Sequence, residues 1–146
     1  YDSFVTGDFL PFQAGIEAGA GCIMVSHNIV NCMDAKRPAS LSPKVHRILR
    51  EELGFSGVIM TDDLAMGAIS KFAGKKSAAV TAVRAGNDLL CVKGFAEPYN
   101  AVLKAVKKGA IEESRIDESV RRILIWKLGL GIIPSSPGKQ PGPPEI

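Results

Sequence analysis

The sequence is poor in aromatic residues, with Phe, Trp and Tyr together making up 6% of 146 positions. Packing must then rely on small side chains and on its 15 glycines, a composition suited to close strand–helix contact. Charge of one sign is also lacking. The formal net charge is only +3, and Lys and Arg alternate with Glu and Asp along the predicted helices. That is the pattern of a solvated surface, and it argues against nucleic acid as a partner. No apolar run reaches membrane-spanning length, so no membrane partner is expected. The three cysteines, Cys22, Cys32 and Cys91, have neither metal-ligand nor redox spacing and are expected as free thiols, with Cys22 and Cys91 buried in apolar runs. No signal peptide is visible and no initiator Met opens the chain, so the native N-terminus is expected upstream of Tyr1. Neither a G-x-G-x-x-G run nor a P-loop is present, and no cofactor is expected.

Against these absences stands a repeated unit of helix, glycine and apolar run. Leu10 to Ala18 has helical apolar spacing and stops at Gly19 and Gly21, and Cys22-Ile23-Met24-Val25 comes directly after. Ser42-Pro43 offers an N-cap and a first-turn proline to a second helix. Its stripe is Val45, Ile48, Leu49 and Leu53, it ends at Gly54, and Gly57-Val58-Ile59-Met60 comes next. A third helix is predicted from about Lys75 to Ala85, then Gly86 and the run Leu89-Leu90-Cys91-Val92. Strands beginning near residues 22, 57 and 88 are spaced like βαβ units, and their lack of alternation suits a parallel sheet covered on both faces. Helices over Pro98–Lys108 and Asp117–Leu128 come after them, the latter with Val120, Ile123, Leu124 and Leu128 on one face. The Pro- and Gly-rich stretch 134–146 reads as a tail or linker after a domain over residues 1–133. Three parallel strands leave two open edges, and a complete barrel of such units needs about 250 residues. The fold class is therefore α/β, either as a small domain or as a partial (β/α)8 TIM barrel: about three C-terminal βα units and a terminal helix.

Sites in parallel α/β folds lie at the C-terminal ends of the strands. Here those ends carry Ser26-His27-Asn28, Thr61-Asp62-Asp63 and Lys93-Gly94. Of two adjacent acids, one can face the mouth while the other meets a backbone amide. By pattern alone a catalytic or metal role for Asp62 or Asp63 and a structural cap are both open. A metal would need further oxygen ligands, and only Asp34 is on offer, so none is expected. His27 reads either as a substrate contact or as a hydrogen-bonded wall residue. His46 is expected on a solvated face. Lys93 reads as a surface or anion contact, or as a Schiff-base lysine. Met66 suits a core or a pocket wall.

Several runs together resemble glycoside hydrolase family 3: Leu10-Pro11-Phe12-Gln13-Ala14-Gly15-Ile16, Ile23-Met24-Val25-Ser26-His27, Pro38 to Ser42 with Leu49 to Phe55, Gly57 to Ala68, and Ala85 to Leu90. The resemblance runs from about Phe9 to Gly131. The form Thr61-Asp62-Asp63-Leu64-Ala65-Met66-Gly67-Ala68 is similar to its β-N-acetylhexosaminidase branch, which implies removal of terminal N-acetylglucosamine from chitin- or peptidoglycan-derived glycans. The resemblance implies a retaining mechanism with Asp62 as nucleophile, Met66 lining the sugar pocket, His27 near the site and Asp63 supporting. In that branch the acid/base is a His paired with an Asp on a loop with the motif K-H-F-P-G-H-G…D-S-H, upstream of the L-P-F segment. That loop does not occur in these 146 residues, so the chain alone is expected to have little or no hydrolase activity. Two other readings compete. One is a non-catalytic half-barrel module for binding or assembly, forming a homodimer through its open sheet edges. The other is an aldolase-like enzyme dependent on Lys93.

Overall fold

The computed structural model describes residues 1–67, 69, 72 and 77–134. After a π-helical turn at Phe4–Asp8 come α1 (Leu10–Glu17), β1 (Cys22–Val25) and α2 (Asn31–Asp34). A 3-10 turn at Ala39–Leu41 leads into α3 (Pro43–Arg47), which runs on as a π-helical turn at Ile48–Glu52. The remaining elements are β2 (Val58–Thr61), α4 (Ala78–Ala85), α5 (Ala96–Lys107) and α6 (Glu113–Gly129). β1 and β2 pair in parallel, Cys22 opposite Val58 through Val25 opposite Thr61.

The sequence signals at α3 act as read. The Ser42 hydroxyl accepts from the Val45 amide, and Pro43 sits in the first turn, where its missing N–H costs nothing. Val45 and Leu49 then pack with Val25, Ala39, Phe55 and Ile59, joining α3 to both strands in one apolar cluster. A second cluster centres on Leu41, Ile69 and Ala82; a third, on Val83, Ala105 and Ile111, holds α4 against α5.

Three expectations are corrected. The run Leu89–Val92 pairs through a single parallel bridge, Met60 with Leu89, so the described sheet has two strands. The segment still docks on β2: the Thr61 amide donates to Leu89 O and the Leu64 amide to Cys91 O, both at 3.0 Å. His46 is buried at 3% exposure, because α3 turns it toward the chain at Gly86 and Asn87. Cys91 is exposed, because its run lies at the margin of the sheet. The predicted start of the third helix, at Lys75, and the predicted tail beyond Pro134 lie outside the described residues.

Candidate active site at the strand ends

The chain leaves β2 at Thr61, and Thr61 fixes the geometry of the strand end. Its side chain is wholly buried, and its hydroxyl accepts from the Cys91 amide at 3.0 Å. The next amide, of Asp62, donates back to Val25 O at 3.1 Å. Asp62 is thereby set, half-buried, at the C-terminal ends of β1 and β2. Its Oδ1 accepts from the Asp63 amide at 2.7 Å. No hydrogen bond to Oδ2 occurs among the described residues. One carboxylate oxygen is oriented and the other is uncommitted among the described residues.

Asp63 does what a second adjacent acid must. Its Oδ1 accepts from the Ala65 amide at 2.9 Å, tightening the turn, and its carbonyl accepts from the Met66 amide at 3.1 Å. Met66 is thereby held beside the acids with its side chain about half exposed.

His27 arrives from the end of β1. Its Nε2 lies 2.9 Å from Asp63 O, and its Nδ1 lies 2.7 Å from Ser40 Oγ. A carbonyl can only accept, so Nε2 carries a hydrogen and donates it, while Nδ1 shares a hydrogen bond with the Ser40 hydroxyl. Ser40 O in turn accepts from Asn87 Nδ2 at 2.7 Å. This relay ties the three apolar runs together and leaves no ring nitrogen of His27 uncommitted.

His27 thus meets the Asp63 carbonyl, and Asp62, Asp63 and Met66 lie together in the turn after β2. Lys93 does not join them. It is exposed and lines a cavity of about 220 Å³ with Leu64, Ala65, Ser77 and Glu97, whereas a Schiff-base lysine calls for a desolvated pocket. Asp34 is committed elsewhere, to the Ser42 hydroxyl at 2.7 Å and the Lys36 amide at 3.0 Å. Burial would raise its carboxyl, but these bonds outweigh that and hold it below the ordinary range. No cluster of three or more His, Cys, Asp or Glu side chains that could hold a metal occurs among the described residues.

Reading the sequence did not identify the role of Asp88, whose side chain is completely buried. Its Oδ2 accepts from Arg50 at 2.6 Å and from the Ile59 amide at 3.0 Å. Its Oδ1 accepts from Ser119 at 2.8 Å, Arg122 at 3.0 Å and Arg115 at 3.3 Å. Burial pushes this carboxyl up, but the Ile59 amide, the Ser119 hydroxyl and the guanidiniums of Arg50 and Arg122 more than reverse it. This knot lies toward the opposite ends of the strands from Asp62, where stability rather than chemistry is the usual task. Its partners are 27 to 38 residues away in sequence, so no local motif announces it.

The family model described as glycosyl hydrolase family 3 N terminal domain matches residues 1–125. A protein named uncharacterized secreted glycosyl hydrolase from Arthroderma benhamiae is 34% identical over 128 residues, covering 84% of this chain and 36% of the relative. A beta-hexosaminidase from Stenotrophomonas maltophilia is 40% identical over 92 residues, covering 62% of this chain and 27% of the relative. The chain therefore spans about a third or less of the length of these curated relatives. Among solved structures, a glycoside hydrolase family 3 beta-N-acetylglucosaminidase from Paenibacillus superimposes with a TM-score of 0.77 at 38% identity. That match covers 90% of this chain and 26% of the other.

Proposed function

The chain belongs to glycosyl hydrolase family 3, and from that premise we propose that it carries the nucleophile side of a retaining β-N-acetylhexosaminidase site. The observation that carries this reading is Asp62, a carboxylate at the C-terminal end of a parallel strand with one oxygen fixed and one uncommitted among the described residues. In this reading Asp62 attacks the anomeric carbon of a terminal N-acetylglucosamine as the bond to the leaving alcohol breaks. Water then displaces the carboxylate and releases the sugar with its configuration retained. Met66 forms an apolar wall of the sugar site, and Asp63 and His27 hold the strand end in register. The substrate is a glycan ending in N-acetylglucosamine, of the chitin or peptidoglycan type, and a role in peptidoglycan recycling belongs to the same proposal.

The scaffold would be part of a (β/α)8 barrel, with residues 1–133 as the domain and 134–146 as a tail or linker. Its two histidines are His27, with both ring nitrogens bonded, and His46, buried inside the chain. Neither is available as the general acid. The 146-residue chain by itself should therefore turn over an aryl N-acetylglucosaminide at a negligible rate, as measured by release of the chromophore.

The site is tested by trapping with a 2-deoxy-2-fluoro or 5-fluoro glycosyl donor on a polypeptide that carries this chain together with the acid/base residue. Peptide mapping should place the covalent sugar on Asp62. Asp62→Asn should lose the label and lower kcat at least about a thousandfold. A label on any other carboxylate, or full turnover by the Asn variant, would exclude Asp62 as nucleophile.

A second reading rests on open apolar surface. Met24 on β1 is 56% exposed and Phe95 before α5 is 79% exposed, more than a self-contained small domain usually leaves. In that reading the chain is an assembly module that pairs with a second copy through its sheet edges.

A further inference from the structure

At the end of the sheet away from Asp62, a cavity of about 450 Å³ is lined by Gly21, Gly57, Arg50, Arg121, Arg122 and Trp126, together with Ser56 and Ile125. Gly21 and Gly57 each stand immediately before a strand, so this pocket opens at the strand starts. Three guanidiniums line it and no carboxylate does. Behind it, Arg50, Arg115 and Arg122 share the single buried charge of Asp88, and Arg122 also lies 3.7 Å from the exposed Glu118. Three guanidiniums thus share one buried carboxylate and one solvated one, and Arg121 adds a fourth positive charge at the cavity wall.

Two of the three guanidiniums are also held in place. Arg50 is fixed by the carbonyls of Phe55 and Gly57, at 2.8 and 2.6 Å, and lies over the Phe55 ring at 5.5 Å. Arg122 is fixed by Asp88. The Trp126 indole is seated against Gly21 so closely that a Cβ there would lie 2.5 Å from Cδ1 and 2.7 Å from Nε1. Among the described residues, neither Trp126 Nε1 nor the Arg121 guanidinium makes a hydrogen bond. A positively charged concavity that sets two fixed guanidiniums beside uncommitted N–H donors matches a tetrahedral oxyanion, which accepts from guanidinium forks and indole N–H groups alike.

We propose that this pocket binds a phosphate group, as free phosphate or as a phosphomonoester, at a site separate from the glycosidic one. The proposal does not depend on the assignment of Asp62.

The chain has one tryptophan, so a single indole resonance reports on the pocket. Inorganic phosphate titrated into the full chain at constant ionic strength should shift that indole N–H signal saturably, while sodium chloride at the same ionic strength should not. A parallel titration with a hexose phosphate tells the two sources apart: tighter binding there identifies a phosphomonoester, equal or weaker binding free phosphate. Arg121 is exposed and bonds to nothing among the described residues, so Arg121→Gln should fold normally and weaken phosphate binding about tenfold. Lys104→Gln, which removes the same charge from the surface of α5, should leave it unchanged. An indole signal that follows ionic strength alone, or equal phosphate affinity in the Arg121 and Lys104 variants, overturns the proposal.

Discussion

Asp88 and His46 show how far a single buried polar residue can govern this chain. Asp88 has no exposed side-chain surface and accepts from three guanidiniums, a hydroxyl and an amide. Truncating it leaves Arg50, Arg115 and Arg122 clustered without a counter-charge. Asp88→Ala is expected to cost about 3–5 kcal/mol, read as a lower urea midpoint. Its carboxyl is depressed in the folded chain. The stabilisation it gives is therefore complete above the unfolded value of about 4 and is lost as pH falls through the lower folded one. His46 acts at higher pH. Burial depresses its ring, outweighing the bond from Nδ1 to Ser42 O at 2.8 Å and the nearby Asn87 side chain, and Nε2 makes no well-formed hydrogen bond among the described residues. The unfolded ring binds its proton first, at about pH 6.5. Stability should therefore fall as pH drops through that value, and His46→Gln should remove this part of the pH dependence while leaving the Asp88 part. Equal slopes between about pH 7 and pH 5 in both proteins would contradict this account of His46.

At the scale of elements, the entry to α3 and the exit from α4 are the points of leverage. Ser42 is fully buried; its hydroxyl caps the helix through the Val45 amide and donates to Asp34 at 2.7 Å. Ser42→Ala removes the cap and leaves a buried carboxylate short of a donor. The expected loss is about 1–3 kcal/mol, seen as a lower Tm in thermal denaturation. Gly86 ends α4 at φ +122°, where a Cβ would lie 2.9 Å from His46 Cβ. Gly86→Ala therefore meets both backbone strain and a clash with a buried ring, and should destabilise by about 2 kcal/mol or more. Gly109→Ala is a control with positive φ (+67°) and open space around it, so a larger loss at Gly86 isolates the contact with His46.

At the scale of the whole molecule, several apolar surfaces are left uncovered among the described residues. Among the described residues β1 has one pairing partner, β2, and Met24 projects from it largely exposed. Val120, Leu124 and Leu128, three of the four residues read as the apolar stripe of α6, are also exposed. Open strand edges and apolar faces of this kind associate. Sedimentation velocity on the 146-residue chain should show a dimer that dissociates on dilution, and Met24→Lys should shift it to monomer. A chain that stays monomeric at every concentration would remove the basis for the assembly reading.

The sequence by itself determined the local pieces: the β1 and β2 runs, the Ser42-Pro43 start of α3, the glycine stops and the Thr61-Asp62-Asp63 strand end. Each of these is encoded within a few residues by apolar periodicity, caps and backbone freedom. It also put His27 just after β1 and Asp62, Asp63 and Met66 just after β2, because each follows its apolar run directly in the chain. Tertiary structure alone decided that His46 is buried, that Leu89–Val92 pairs by one bridge, and that both nitrogens of His27 are bonded. It alone assembled Arg50, Arg115 and Arg122 around Asp88. That assembly depends on which groups meet across 27 or more residues of chain. Side-chain burial and charge pairing are set by such meetings rather than by neighbours in sequence.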